Sequence, residues 1–175
     1  MEQVGVAQEH KEAVLKHLYQ ADVERSLWSY TYPWVYETLD RLSAQGHRMS
    51  VISNADGRVR ERLESLDLAD YFEEIFDSHL VGYAKPDPRL FKHALTALGL
   101  QPDECLFIGD VYMVDVLGAN RMGIAAVHLD PYGLYSDCKG RRIRTIAQLP
   151  QLLADEGLDL QGEDFFPLGH GGLLT

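Results

Sequence analysis

Short apolar runs alternate with helical patterns along most of this chain, and the alternation constrains the fold more than any other feature. Cys105–Ile108 and Ala125–Leu129 have the length and composition of buried strands, and amphipathic helical patterns lie between such runs. Strands that alternate with helices form βα units, which build a parallel sheet covered on both faces. The sequence therefore predicts an α/β fold with a Rossmann-like parallel sheet and helices on both faces.

The individual elements follow from periodicity and from turn residues. Most of the helices are predicted from apolar residues that recur on one helical face, and several of them are bounded by Pro or Gly. The predicted strands are Arg48–Asn54, Glu74–Asp77, Cys105–Ile108 and Ala125–Leu129. The predicted helices run through Val14 to Tyr19, from Pro33 to Gly46, from Val59 through Leu66, from Arg89 to Gly99, from Val114 to Gly123 and over Ala147–Leu153.

Composition narrows the function classes. A chain of 175 residues, 46% of them hydrophobic, can bury one sizeable core, and its net charge of −11 argues against a nucleic-acid partner. No apolar run is long enough for a membrane helix, and Cys105 and Cys138 lie in no disulfide or zinc pattern, so we expect a cytoplasmic protein with no membrane partner. The seven histidines show no ligand spacing with an acid and are interpreted as solvated or structural.

Active sites of parallel sheets lie at the carboxyl ends of the strands. Small polar or acidic residues stand at each predicted strand end: Ser53 and Asn54, Asp77, Asp110 and Asp130. A Ser-Asn pair after a strand offers a hydroxyl and backbone amides to an anion, although such a pair taken alone is more often a helix cap or a turn. Any chemistry of the chain should be sought at this edge of the sheet.

Two further stretches carry candidate site residues. Lys85 lies in Ala84–Pro88, where the prolines hold it in a defined turn, whereas an isolated lysine is usually a solvated surface charge. Asp110 and Asp115 follow the buried strand that ends at Ile108 and suit Mg²⁺, a hard cation with oxygen ligands. The alternative is that Asp115 is an acid in the first helical turn, favoured by the helix dipole, with Asp110 in a turn.

In order and spacing, Val51–Asn54, Ala84–Pro88 and Gly109–Asp115 together resemble the second, third and fourth motifs of the haloacid dehalogenase (HAD) superfamily. The resemblance is to its capped subfamily, close to phosphoglycolate phosphatases and haloacid dehalogenases. It implies phosphate binding by Ser53, Asn54 and Lys85, charge stabilisation by Lys85, and Mg²⁺ binding by Asp110 and Asp115. It also implies a helical cap remnant over 1–31, an α/β core over 32–154 and an irregular tail over 155–175.

The first motif of that family, DxDx[TV], supplies the nucleophilic aspartate, and no Asp-x-Asp occurs anywhere in this chain. In the family this motif ends the central strand, between the strands that bear Ser53 and Asp110. We therefore expect a chain that is inactive as given, with weak or absent Mg²⁺ binding. Truncation or a misplaced start is the simplest explanation. A missing central strand would also expose sheet edges through which the chain could form a homo-oligomer.

Two function classes follow. The first is a HAD-like hydrolase, specifically a Mg²⁺-dependent phosphatase for a small phosphorylated metabolite, of which this chain is an incomplete core. The second is a non-catalytic HAD-like protein with a binding or association role. The motifs alone leave the substrate open, and they do not by themselves exclude dehalogenase chemistry.

Overall fold

The computed structural model describes residues 7–24, 29–155 and 159–166. Its helices are α1 (Lys11–Glu24), α2 (Pro33–Ala44), α3 (Val59–Glu64), α4 (Ser78–Val81), α5 (Pro88–Leu98), α6 (Val116–Arg121) and α7 (Leu149–Leu153). Its strands are β1 (Ser50–Ser53), β2 (Glu74–Asp77), β3 (Leu106–Gly109), β4 (Ala125–Leu129) and β5 (Arg142–Ile143). No helix in the described part of the chain is long and apolar enough to cross a membrane.

All strand pairs are parallel. β1 pairs with β2 in a register that places Ser53 opposite Asp77, and β4 lies between β3 and β5. Helices cover both faces, since α2 and α7 pack on one apolar cluster of the sheet and α5 and α6 on another. The predicted class, an α/β fold of parallel strands with helices on both faces, is confirmed.

The strands do not form one continuous sheet. Among the described residues, β1 and β2 make one hydrogen-bonded sheet, and β3, β4 and β5 make another. The two sheets nevertheless lie side by side, because Ile52 of β1 and Phe107 of β3 pack against the same apolar cluster around Phe91. On the opposite face, Met49 beside β1 and Ile108 of β3 share a second cluster.

The edges of β1 and β3 that face each other have no paired strand among the residues that the structure describes. Each of these strands has one hydrogen-bonded neighbour, and both are half-buried along their whole length. β4, which has a neighbour on each side, is buried from Ala125 to His128. We call the space between β1 and β3 the strand gap. It leaves apolar strand surface partly open to solvent.

Helix α1 forms where the sequence predicts a helix, but its apolar stripe stays exposed. The exposed fractions of Leu15, Leu18 and Tyr19 are 53%, 44% and 73%. The helix belongs to 1–31, the predicted cap remnant, and that assignment stays a prediction. The tail has neither helix nor strand over 159–166, yet Phe165 and Phe166 are buried in the cluster that holds α2 and α7.

Candidate active site

The predicted site residues come together at the carboxyl ends of β1 and β3. A cavity of about 870 Å³ lies there, and its lining includes Ser53, Asn54, Lys85, Asp110 and Asp115. The remaining lining is partly apolar, with Val59, Leu63, Leu66, Val111 and Val114, and partly polar, with Asp56, Arg62 and Ser78. Residues far apart in sequence thus share one solvent-filled space.

Asn54 fixes the position of Lys85 through its side-chain amide. The Asn54 Oδ1 accepts a hydrogen bond from the Lys85 backbone N–H at 2.7 Å, and the Asn54 Nδ2 donates to the Lys85 carbonyl at 2.8 Å. This two-point contact joins the end of β1 to the turn before α5. Because the Asn54 amide is engaged with the main chain, phosphate binding at this residue would fall to its backbone N–H.

The Lys85 ammonium group lies in the cavity wall beside Asp115. Its Nζ is 2.8 Å from the Asp115 Oδ1, and the side chains of the two residues are only 11% and 4% exposed. The Nζ also lies 5.2 Å from the centre of the Phe107 ring, within range of a cation–π contact. A largely buried cation beside the strand ends can stabilise negative charge on a bound anion.

Asp115 is held by the loop that precedes it. Its Oδ2 accepts a hydrogen bond from the Val111 N–H at 2.9 Å, and the residue stands at the N-terminus of α6 without capping an amide of that helix. Gly109 is required beside it, because an added Cβ would lie 2.3 Å from the Asp115 Cβ. The Gly-Asp sequence thus lets the second carboxylate approach the end of β3.

Asp110 differs from Asp115 in being exposed. Its carboxylate makes no hydrogen bond to any residue that the structure describes, whereas its backbone carbonyl lies 3.1 Å from the His128 Nε2. His128 is buried on β4 between the rings of Tyr112 and Tyr135, with centroid distances of 5.3 Å and 4.7 Å. Sequence reasoning missed this contact, and the available signal was a histidine within an otherwise apolar strand, which requires a partner.

A group of charges at the cavity that the sequence analysis did not single out centres on Asp56. Arg62 donates two hydrogen bonds of 3.0 Å to its carboxylate, and the Arg58 guanidinium group donates two more, of 3.2 Å and 3.0 Å. Desolvation raises the pKa of Asp56, but the bonds from Arg58 and Arg62 outweigh it and lower the pKa to about 2. Asp56 is therefore ionised and paired at neutral pH.

The other acids at strand ends have structural roles. Asp77 is buried and accepts hydrogen bonds from the backbone N–H groups of Gly57, Val59 and His79. Asp130 is buried and accepts from the N–H groups of Leu134 and Tyr135, and burial raises its pKa less than these bonds and Arg142 lower it. Neither carboxylate faces the cavity.

The carboxylates of Asp110 and Asp115 fit a divalent cation. Asp110 is exposed with no hydrogen-bond partner among the described residues, and the buried Asp115 Oδ1 has a charge contact to Lys85 without hydrogen-bond geometry. Oxygen donors of this kind suit Mg²⁺, which uses one or two carboxylates and fills its octahedron with water and phosphate. The described part of the chain contains no group of three or more His, Cys, Asp or Glu side chains arranged for a metal. The side chains available to bind the cation are therefore few.

The chain is similar to known phosphatases. It is 33% identical to glyceraldehyde 3-phosphate phosphatase of Pyrococcus furiosus, over 69% of this chain and 52% of that protein. It is 31% identical to phosphoglycolate phosphatase 1 of Pseudomonas aeruginosa, over 91% of this chain and 57% of that protein. The chain thus spans just over half the length of these curated relatives.

A solved structure and a family model point to the same family as these relatives. A HAD phosphatase from Thermococcus onnurineus superposes with a TM-score of 0.67 and 29% identity, over 73% of this chain and 60% of that one. The family model described as haloacid dehalogenase-like hydrolase matches residues 1–129. This span includes Ser53, Lys85, Asp110 and Asp115. The chain belongs to the haloacid dehalogenase-like hydrolase family.

Proposed function

We propose that this chain provides the phosphate-binding and metal-binding part of a Mg²⁺-dependent phosphatase site for a small phosphorylated metabolite, and that it does not hydrolyse phosphate esters as given. The observation that carries the proposal is the convergence of Ser53, Asn54, Lys85, Asp110 and Asp115 on one cavity. The named phosphatases among its relatives support the choice of phosphate monoesters as the substrate class.

Each residue has a defined part in the proposed site. The Ser53 hydroxyl and the backbone N–H groups that follow it donate to phosphoryl oxygens at a strand end. Lys85, placed by Asn54, offsets the negative charge of the phosphoryl group. Asp110 and Asp115 would hold Mg²⁺, which stabilises charge on the transferring group when it is bound.

The proposed inactivity follows from the acids that line the cavity. They are Asp56, Asp110 and Asp115. Asp56 is paired with two arginines, and the other two are the proposed metal ligands. A nucleophilic mechanism needs a further carboxylate positioned for in-line attack, and loss of a nucleophile lowers turnover by a factor on the order of 10⁶.

The activity test uses an aryl phosphate with Mg²⁺ at neutral pH, comparing the wild-type chain with Asp110→Asn and Lys85→Met. We expect all three to give the same background rate. Activity in the wild-type chain that is lost in Asp110→Asn would contradict the proposal and would require a nucleophile not identified here.

The metal prediction concerns affinity. We expect Mg²⁺ to bind weakly, because two carboxylates and no third ligating side chain are available in the described part of the chain. Isothermal calorimetry should give little heat, and Asp110→Asn should remove it. Tight binding that Asp110→Asn abolishes would show instead that the ligand set is complete.

The second candidate function is a non-catalytic anion-binding protein, and the absence of an Asp-x-Asp sequence favours it. Titration with inorganic phosphate, followed by the amide resonances of Ser53 to Ala55, separates the candidates. Phosphate binding without hydrolysis by any longer version of the chain supports the binding role, whereas hydrolysis by a longer version supports the phosphatase.

A further inference from the structure

The cavity lining that the structure describes contains two cationic side chains, Lys85 and Arg62. Lys85 stands beside Asp115 and belongs to the proposed phosphate site. Arg62 lies on α3, so it reaches the cavity from a different element, and the proposed phosphatase site does not use it. It can therefore meet a second negative group of a molecule whose phosphoryl group is bound near Lys85.

The group formed by Asp56, Arg58 and Arg62 has an excess of positive charge. Asp56 is ionised at neutral pH, and the Arg58 guanidinium group alone donates two hydrogen bonds to it, of 3.2 Å and 3.0 Å. One arginine would thus be enough to neutralise this carboxylate. With Arg62, two guanidinium groups stand against one carboxylate, so this wall of the cavity attracts anions.

The Arg62 side chain is held in one position by its contact with Asp56. Its Nη1 and Nη2 donate to the two Asp56 oxygens, each at 3.0 Å, and the side chain is only 18% exposed. Each of these nitrogens carries a second N–H, and the planar guanidinium group matches the two oxygens of a carboxylate. A side chain that is already ordered loses less conformational entropy when a ligand binds. Arg62 is thus prepared to bind an oxyanion.

The lining next to Arg62 indicates what lies between the two anionic ends of the ligand. Val59 and Leu63 lie on the same face of α3 as Arg62, and Leu66 lines the cavity after the helix has ended. Apolar surface of this kind suits carbon, because a hydroxyl group that it covers would lose its hydrogen bonds to water. The cavity of about 870 Å³ has the size of a small-molecule site. These features fit a short carbon chain with an anionic group at each end.

We propose that Arg62, held by Asp56, is a specificity-determining residue that binds a carboxylate of the ligand, so that the substrate class is a small phosphorylated carboxylic acid. The phosphoryl group lies at Ser53 and Lys85, and the carboxylate pairs with the Arg62 guanidinium group through charge-assisted hydrogen bonds. The proposal rests on the proposed phosphate site, because that site anchors the other end of the ligand.

The probes are 3-phosphonopropionate and propylphosphonate, which differ only in a terminal carboxylate against a methyl group and contain no ester bond to hydrolyse. Each is titrated by calorimetry into the wild-type chain and its variants at neutral pH with Mg²⁺. Arg62→Met removes the proposed partner of the carboxylate. Arg58→Met is the matched control, because it removes the same charge from beside Asp56, whereas the cavity lining that the structure describes includes Arg62 and not Arg58.

We expect the wild-type chain and Arg58→Met to bind 3-phosphonopropionate about tenfold more tightly than propylphosphonate, the factor expected for a hydrogen bond between charged groups. Arg62→Met should bind the two probes equally. Arg62→Lys keeps the charge without the planar fork and should give an intermediate preference. The amide resonances of Val59 to Leu63 should shift more with the carboxylated probe, and circular dichroism verifies the fold of each variant.

Equal binding of the two probes by the wild-type chain would overturn the proposal and leave the phosphate site in place. The same loss of preference in Arg58→Met and Arg62→Met would also overturn it, because the preference would then come from the overall charge and not from contact with Arg62. Binding of neither probe would overturn the phosphate site, and this proposal with it.

Discussion

At the residue scale, His128 controls where Asp110 lies without facing the cavity itself. A carbonyl oxygen only accepts hydrogen bonds, so the His128 Nε2 carries a proton and donates to the Asp110 carbonyl at 3.1 Å. The Nδ1 of the same ring is buried and has no hydrogen-bond partner among the described residues. One donated bond and two aromatic contacts thus fix the start of the loop that carries Asp110.

The prediction for His128 compares two substitutions. His128→Leu should lower the free energy of unfolding by about 1–3 kcal/mol, because it leaves the Asp110 carbonyl without a partner, and it should shift the amide resonances of Asp110 and Val111. His128→Gln keeps an N–H donor at a similar reach and should shift these resonances much less. Urea unfolding and amide NMR measure the two effects. Equal shifts in both variants would mean that the ring, and not its hydrogen bond, positions the loop.

The roles of single residues could be predicted only in part. Ser53, Lys85, Asp110 and Asp115 share one cavity, and their order along the chain was enough to propose a common site. The Asn54 contact to the Lys85 main chain could not be predicted, because it joins two loops whose relative placement depends on the whole fold. The phosphate-binding and metal-binding roles stay predictions.

At the scale of elements, Asp77 joins β2 to the helices on either side of it. Its Oδ2 accepts from the N–H groups of Gly57 and Val59 at 2.9 Å and 3.3 Å, and its Oδ1 caps α4 through the His79 N–H at 2.9 Å. The loop after β1, which carries part of the cavity lining, is therefore anchored to the end of β2.

We expect Asp77→Ala to lower the free energy of unfolding by about 2–4 kcal/mol, because it leaves three backbone N–H groups without their acceptor. Asp70→Ala is the control, since Asp70 is exposed in a short turn and makes no hydrogen bond through its side chain within the described chain. It should change the free energy by no more than about 0.5 kcal/mol. Urea denaturation tests both. Similar values for the two variants would show that Asp77 does not anchor the loop.

The ends of helices and strands were predictable where an apolar segment was clearly bounded by turn residues or by a proline. The predicted limits of β2 and β4 are those observed, and α2 begins at Pro33 as predicted. β5 was not predicted, because the two residues Arg142 and Ile143 are too few to show a period. The apolar stripe of α1 predicted a helix, but it did not indicate which surface the helix would pack against. In the structure the stripe is exposed.

At the scale of the whole molecule, the sheet is divided between β1 and β3, where the missing first motif of the family had led us to expect exposed sheet edges. Local sequence patterns identify strands, whereas pairing depends on which strands meet, so the division could not be read from the periodicity. Within the described part of the chain, the facing edges of β1 and β3 have no paired strand, and the whole chain has a net charge of −11, so two effects act on self-association in opposite directions. The edges favour it and the charge resists it.

We propose that the chain self-associates through these edges, and we predict that association increases with salt, because salt screens the repulsion between like-charged copies. Sedimentation velocity over a range of protein and salt concentrations measures it. Val51→Lys places a charge on the edge of β1 and should reduce association, with circular dichroism to verify the fold. Association that weakens with salt, or that Val51→Lys leaves unchanged, would place the contact elsewhere.

The contact between Asn54 and residue 85 also bears on protein engineering. Because the Asn54 amide holds the backbone N–H and C=O of residue 85, the attachment does not depend on which side chain residue 85 carries. A cysteine for a spectroscopic label, or a histidine for a new metal ligand, would be presented from the same anchored main chain. Position 85 is thus a natural point for installing a reporter inside the cavity.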